Sequence, residues 1–203
     1  MIRPSSTASV GPHFVITPKA QTAIPVATYL EYDAVIQSAL DSAVTELSYV
    51  GDIRLGGRLH ALGCILIVRD GVPFALDLVD PGGVRTLDEE GLRLLAFETL
   101  GASPLRLSRA EIEAGPRCEN ARTVWENSRH RVRISARHSI LDALDCAGVL
   151  PLRSFDARRE DVFALACETV VDIDLDAADI ADADVRLSAG PIGPRSHLMR
   201  VIR

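Results

Sequence analysis

Two apolar segments joined by Asp70 and Gly71 constrain the possible folds of this chain more than any other part of its sequence. The first segment, residues 63–68, is the continuous apolar run GCILIV, and the second, residues 72–79, is mostly apolar. A continuous apolar run predicts a strand that is buried on both faces. The Asp-Gly pair between the segments predicts a tight turn. The sequence therefore predicts a β-hairpin at the centre of a sheet.

One acidic residue, Asp77, lies near the end of the second strand of this hairpin. A carboxylate is costly to bury without a partner, so two interpretations follow. In the first, Asp77 belongs to a metal site, because many nucleases build their metal site on such a hairpin. In the second, Asp77 meets an arginine or the edge of the sheet.

The composition predicts a packed globular protein with an acidic charge balance. Of the 203 residues, 47% are apolar, and the formal net charge is −6. This balance argues against tight, non-specific binding of nucleic acid by the chain as a whole. The four cysteines form no CxxC pair, which favours reduced thiols over a metal site or a disulfide framework. Because the sequence shows neither a signal peptide nor a stretch of about 18 apolar residues, we expect a cytoplasmic protein without a membrane segment.

The first 118 residues alternate between helical and strand patterns. After a loose leader at 1–24 with one short extended piece at 14–16, the patterns predict a helix at 28–40, a strand at 44–53, the hairpin, a helix at 86–100, a strand at 104–107 and a short helix at 109–114. This order predicts an α/β domain with a mixed sheet over residues 25–118. Thr86 and Glu89 have the spacing of a capping box at the start of the second helix. Glu31 lies in the first turn of the first helix, where the helix dipole favours a carboxylate.

Residues 119–138 are predicted to form a basic connector. From residue 120 onwards this segment contains one acid, Glu126, and the only tryptophan of the chain, Trp125. Its five arginines are Arg122, Arg129, Arg131, Arg133 and Arg137. A basic segment with an aromatic residue suits contact with phosphates. A solvated connector helix with Trp125 as its packing anchor fits the same residues, so both interpretations remain open.

The last part of the chain, residues 139–203, has the element order of a winged helix-turn-helix. The patterns predict helices at 139–147 and 159–168, followed by strands at 170–175 and 185–187. Two helices and a β-ribbon in about 50 residues are typical of that fold. In many such modules the second helix enters the major groove. Here that helix begins with Arg158 and Arg159 but continues with Glu160 and Asp161, which suits a protein partner at least as well as DNA.

Several of these features occur together in one known family. A helix that carries Glu31 ends at Asp41, and the next strand starts at Val44. His60 precedes the first hairpin strand, the Asp-Gly turn follows, and the run NARTVW comes before the winged-helix pattern. Over residues 28–187 the chain resembles the TnsA-like endonucleases, the subunits of heteromeric transposases that cut at transposon ends. The resemblance implies a restriction-endonuclease-like fold followed by a winged helix-turn-helix domain.

The resemblance also implies where the catalytic residues would lie. Members of the family carry a metal-binding acid on the first hairpin strand and a Glu-x-Lys or Gln-x-Lys triplet at the end of the second. In this chain Gly63 stands near the first position, and residues 77–79 match the triplet with Val79 in place of the lysine. A shift by one residue, to 78–80, places Asp80 at the lysine position. The one lysine of the chain is Lys19, in the leader.

The resemblance therefore predicts a catalytically degenerate relative of these nucleases that binds DNA or a partner protein and is linked to a mobile element. Glu31 and Asp77 are the candidate catalytic and metal-binding residues, because two acids must share a divalent metal that activates water. We expect no cofactor, or magnesium if the protein is active. Two alternatives stay open: an active metal-dependent DNA endonuclease that uses Glu31 and Asp77, and a non-enzymatic protein-interaction subunit.

Overall fold

The computed structural model describes residues 13–79 and 85–188. The strands are β1 (His13–Val15), β2 (Ile24–Val26), β3 (Val44–Leu55), β4 (Arg58–Arg69), β5 (Val72–Val79), β6 (Ser103–Ser108), β7 (Val149–Pro151), β8 (Val171–Ile173) and β9 (Asp184–Leu187). The helices are α1 (Tyr29–Leu40), α2 (Leu87–Thr99), α3 (Arg109–Ile112), α4 (Gly115–Trp125), α5 (Ile134–Ala147) and α6 (Arg159–Cys167).

The central sheet contains four strands in the order β3-β4-β5-β6. The pairs β3–β4 and β4–β5 are antiparallel, and β6 is parallel to β5. The turn between β4 and β5 has positive φ at both Asp70 (51°) and Gly71 (77°), as the tight turns favoured by hairpins require. The predicted α/β class, with a mixed sheet flanked by helices, is confirmed.

Helices cover both faces of this sheet. On one face, α1 packs against strand residues of the main core, among them Leu47, Ile67 and Leu76. On the other face, α2 places Ala96 and Phe97 against a smaller core. Side chains alternate between the two faces along a strand, so neighbouring residues of β5 contribute to different cores.

The N-terminal strands correct one part of the sequence prediction. Residues 13–24 were assigned to a loose leader, but β1 and β2 pair in an antiparallel ribbon. Val15, Ile24 and Val26 are buried in the main core. Because three apolar side chains lie at alternating positions, one face of the ribbon packs on the core. The rest of the predicted leader, residues 1–12, lies outside the described residues.

The C-terminal part contains a second sheet of three antiparallel strands in the order β7-β9-β8. The helix α6 is buried from Asp161 to Cys167 and contributes to the same core as α1 and α4. One core therefore runs from Val15 to Val185, and the predicted boundaries at 118 and 138 do not separate independent cores. Residues 189–203, the last part of the predicted winged-helix region at 139–203, lie outside the described residues.

The helices of the described residues are too short or too polar for a bilayer. Among residues 13–79 and 85–188, no helix is both long enough and apolar enough to cross a membrane.

Candidate functional site

Glu31 is part of the N-terminal cap of α1. Its Oε2 atom accepts hydrogen bonds from the backbone N–H groups of Ala27, at 2.6 Å, and Thr28, at 3.2 Å. The hydroxyl of Thr28 in turn accepts from the N–H of Glu31 at 3.1 Å. This is a complete capping box. The carboxylate of Glu31 therefore satisfies the backbone at the start of its own helix.

Asp77 lies in a cluster of arginines. Its carboxylate is 2% exposed and receives guanidinium groups from three directions. Arg85 Nη1 lies 2.6 Å from Oδ1, Arg106 Nε lies 3.1 Å from Oδ2, and Arg93 Nη2 lies 3.5 Å from Oδ1. Glu90 also contacts Arg85 and Arg106. The structure thus supports the second interpretation of Asp77, in which an arginine meets the buried acid.

These arginines determine the charge state of Asp77. Burial alone would raise the pKa of its carboxyl group, because a low dielectric disfavours the ion. Hydrogen bonds from Arg85 and Arg106 and the charges of Arg85 and Arg93 outweigh this effect and hold the pKa of Asp77 below its usual value. Asp77 is therefore an anion that the fold itself neutralises.

The structure does not bring Glu31 and Asp77 together. Ala75 of β5 belongs to the core beneath α2, whereas Leu76 belongs to the core beneath α1. By alternation, Asp77 faces the α2 side, and Arg93 of α2 contacts it there. Glu31 lies at the start of α1, on the opposite side of the sheet. The two candidate metal ligands are separated by the sheet.

The other positions expected for a metal site do not supply ligands. Gly63 has φ 56°, so a side chain there would be strained, and Val79 ends β5. Asp80, which the shifted triplet used, lies outside the described residues. Within residues 13–79 and 85–188, no group of three or more His, Cys, Asp or Glu side chains is arranged to hold a metal ion.

A cavity of about 670 Å³ lies against the Asp77 cluster. Its wall contains the three arginines that contact Asp77, with Glu89 and Glu90 among the other lining residues. Glu89 and Glu90 in this wall, together with Asp77 behind the arginines, match the three guanidinium groups in number. Because these charges cancel, the cavity has no excess positive charge with which to attract an anion.

Two of the five predicted nucleic-acid-binding arginines are engaged with carboxylates of this chain, one buried and one at the surface. Arg122 binds Asp33 of α1 through both its Nε and Nη2 atoms. This pairing raises the pKa of the Arg122 guanidinium further. Arg137 binds Glu168 at the end of α6, at 2.8 Å. These two side chains tie helices together.

The remaining three arginines, Arg129, Arg131 and Arg133, are exposed in the linker between α4 and α5. Arg131 and Arg133 line a cavity of about 540 Å³. Arg158, at the N-terminal end of α6, lines the same cavity. The fold therefore brings together basic residues that are 25 or more positions apart in the sequence. We call the surface formed by Arg131, Arg133 and Arg158 the arginine pocket.

Two helices begin at the arginine pocket. Arg133 and Arg158 occupy the N-cap positions of α5 and α6, and neither helix has a side-chain hydrogen bond at its cap. Ser135 and Ala136, from the first turn of α5, line the cavity. The N–H groups of a first helical turn have no partner within the helix and attract anions. The backbone thus adds to the positive field of the three arginines.

Acidic residues compensate only part of this charge. Asp161 is held by His130, whose Nε2 lies 2.8 Å from Oδ1 of the acid. Asp156 is the other acid in the wall. The three guanidinium groups outnumber the carboxylates of Asp156 and Asp161, so the pocket keeps a net positive charge. The sequence alone did not place Arg158 in this pocket, because the position of α6 beside the linker depends on the tertiary fold.

No family model matches the chain, and the comparison with curated proteins finds no relative. The fold and the local chemistry therefore carry the functional argument. They define the class of the molecule as an α/β protein with a four-stranded mixed sheet, a buried acid bound by three arginines and an exposed cluster of arginines.

Proposed function

We propose that this protein binds the phosphate backbone of DNA at the arginine pocket and does not cut it. In this proposal it is a nuclease-fold protein similar to the TnsA-like group whose active site has been replaced by a structural ion cluster. The observation that carries the proposal is the convergence of Arg131, Arg133 and Arg158 at two helix N-termini. Guanidinium groups and free backbone N–H groups are the donors that phosphate oxygens accept from.

The charge of the whole chain sets the kind of binding to expect. With a net charge of −6, most of the surface repels a polyanion, and the arginine pocket is a local exception. Binding through a few phosphate contacts is weak at physiological salt and depends steeply on ionic strength. We therefore expect contact with DNA as part of an assembly, in which a partner adds affinity.

The state of Asp77 supports binding without cleavage. Hydrolysis of a phosphodiester by this class of nuclease needs two acids around one or two divalent ions. Asp77 already has three guanidinium partners, and a metal ion would have to displace them. Glu31 would have to leave its capping box and reach around the sheet. Both acids are thus committed to the fold.

The element order supports the proposed family fold. The series α1, β3, β4, β5, α2, β6 has the order that the resemblance implies for the nuclease-like part. The series α5, β7, α6, β8, β9 has the order of a winged helix. Because α6 is buried along most of its length, we infer that its N-terminal end, and not its side, would contact DNA.

A binding measurement tests this proposal. The intact protein should bind a labelled DNA duplex at low salt, and the double variant R131A/R133A should bind at least about tenfold more weakly. The variant R54A/R58A removes the same charge from exposed positions at the end of the β3–β4 hairpin and should bind like the wild type. Equal losses in both variants would mean that only the total charge matters, and the proposal would be wrong.

A plasmid-nicking assay with magnesium and with manganese distinguishes the alternative, an active endonuclease, from the proposed non-cutting protein. Our proposal predicts no cleavage above a buffer control. Cleavage that disappears in both E31Q and D77N would establish the endonuclease and overturn the proposed loss of activity.

A further inference from the structure

The helix α2 presents an apolar face to solvent. Its four leucines are all exposed: Leu87 by 92%, Leu92 by 37%, Leu94 by 47% and Leu95 by 49%. On its inner side only Ala96 and Phe97 are buried. A helix that covers a sheet normally turns its leucines inward. In α2 the pattern is reversed, and no packing contact among residues 13–79 and 85–188 explains it.

Three of these leucines lie together. Leu87, Gly91, Leu94 and Leu95 are spaced i, i+4, i+7 and i+8, which places them on one side of an α-helix. We call this surface the leucine face. Clusters of exposed apolar side chains mark sites of interaction with other molecules more often than single exposed residues do.

Gly91 lies in the middle of the leucine face. A Cβ atom added at Gly91 would meet no atom of the described residues within 4 Å. Glycine is the poorest residue for a helix interior apart from proline, and no internal contact in the described part of the chain requires it here. Its absence of a side chain does create a shallow gap between Leu87 and Leu94. Such a gap lets the backbone of a second helix approach closely.

The charges beside the leucine face indicate what kind of helix would fit. Asp88 and Glu98 border it, and neither has an ion-pair partner among the described residues. If a second copy of α2 packed antiparallel with Gly91 of one copy opposite Leu95 of the other, Asp88 of one copy would lie opposite Glu98 of the other. Like charges at close range are unfavourable, so a second copy fits poorly. A helix with basic residues beside its apolar stripe complements both acids.

We propose that the leucine face is the docking site for a basic amphipathic helix of a partner protein. The leucines supply the apolar contact, Gly91 permits close approach, and Asp88 and Glu98 pair with lysine or arginine of the partner. This mode of recognition buries an apolar helix face against a complementary one. It is independent of the arginine pocket, because no residue of α2 lines that pocket.

A synthetic probe tests the chemistry of the docking site. The probe is a labelled peptide of about 18 residues built from leucine and lysine with helical spacing, long enough to form a helix when bound. A peptide with glutamate in place of lysine is the charge control. The lysine peptide should bind the intact protein, and L94A/L95A should weaken it by about tenfold or more. The variant D88K/E98K should weaken the lysine peptide and strengthen the glutamate peptide.

Matched variants control for non-specific attraction to an acidic protein. L59A/V149A removes two exposed apolar side chains elsewhere, and D142K/D145K reverses two exposed acids on α5. Both should bind the lysine peptide like the wild type, apart from a small common effect of net charge. Equal loss in D142K/D145K and D88K/E98K would overturn the proposal, as would binding that L94A/L95A leaves unchanged.

Gly91 provides a test in which stability and binding change in opposite directions. Because G91A improves helix propensity and meets open space, it should raise the melting temperature by about 2 °C. The added methyl group should at the same time weaken the lysine peptide. A variant that gains stability and keeps full binding would contradict the role of Gly91. Two further measurements test the other possible occupants of the leucine face. A dimer in sedimentation that L94A/L95A abolishes would show that a second copy binds there. Tighter peptide binding after truncation at Ser188 would show that residues 189–203 cover the face.

Discussion

Arg122 of α4 holds the buried carboxylate of Asp33 in α1 with two parallel hydrogen bonds. The distances are 2.8 Å from Nε to Oδ1 and 2.5 Å from Nη2 to Oδ2, and Asp33 is 1% exposed. A bidentate arginine–carboxylate pair fixes both position and orientation. It joins the helix before the central sheet to the helix that precedes the arginine pocket. The segment predicted as a basic connector therefore begins as part of the core.

We predict that R122A destabilises the protein by about 2–3 kcal/mol, because it leaves the carboxylate of Asp33 buried without its charged partner. Unfolding by urea, followed by circular dichroism, measures the change. The variant R137A removes an arginine of the same connector that pairs with Glu168 at the surface. It should cost no more than about 0.5 kcal/mol. Equal losses would show that Asp33 does not depend on Arg122.

The Asp77 cluster makes a second prediction about stability. The variant D77N keeps the shape of the side chain but leaves the guanidinium groups of Arg85, Arg93 and Arg106 without their shared anion. We expect a loss of about 3 kcal/mol or more at pH 7. A change below about 1 kcal/mol would mean that Glu90 alone can balance the three arginines, and that Asp77 is free for another role.

The same variant should change the acid limb of the stability curve. The pKa of Asp77 is lower in the folded protein than in the unfolded chain, where an aspartate titrates near about 3.9. Its contribution is therefore complete above that value and decreases as the pH falls through the folded pKa. The difference in unfolding free energy between the wild type and D77N should be constant from pH 5 to 7, within about 0.5 kcal/mol, and should shrink below about pH 4.

Much of the fold was accessible from the sequence, because it depends on local signals. The apolar runs and the Asp-Gly turn predicted the β4–β5 hairpin, and β5 has the predicted bounds. Thr86 and Glu89 form the predicted capping box of α2. The N-terminal ribbon was missed because Val15, Ile24 and Val26 become a buried face only when two short strands pair.

The site was less accessible, because it depends on which way side chains point across elements. Arg85, Arg93 and Arg106 come from a loop, a helix and a strand, and nothing local indicates that they meet at Asp77. The basic segment was identified from its number of arginines. That number does not distinguish Arg122, which contacts α1, from Arg131, which is exposed to solvent. Helical spacing could have made that distinction, since Arg122 lies one turn after the buried Cys118.

Two variants of Glu31 test its structural role as a helix cap. E31A removes the acceptor for the N–H groups of Ala27 and Thr28 and should cost about 1 kcal/mol. E31Q keeps an acceptor oxygen, as capping boxes with glutamine do, and should recover most of that loss. Thermal unfolding measures both variants. If E31Q were as unstable as E31A, the charge of Glu31 and not its hydrogen bonds would be the important property.

Lys19, the only lysine of the chain, should make stability depend on pH in the alkaline range. Its ammonium group donates to the carbonyl oxygen of Asp41 at 2.6 Å. Burial lowers its pKa to about 8, although Asp41 and Asp172 act in the opposite direction. The folded state thus binds the proton less tightly than the unfolded chain, so this contribution to stability rises between about pH 8 and 10.5.

The variant K19M isolates this effect. The unfolding free energy of the wild type, minus that of K19M, should increase from pH 8 to pH 10, because only the wild type releases this proton. A difference that stays flat or decreases over this range would show that Lys19 keeps an ordinary pKa. Other groups that titrate in the same range cancel in the comparison.

The salt dependence of DNA binding by the intact protein tests the central claim most directly. A plot of the logarithm of the binding constant against the logarithm of salt concentration has a slope that reports the number of phosphate contacts. We predict a clearly negative slope for the wild type that becomes shallower by about 2 in R131A/R133A and stays unchanged in R54A/R58A. A wild-type protein that binds no DNA at low salt, or a slope that R131A/R133A does not change, would contradict the assignment of the arginine pocket.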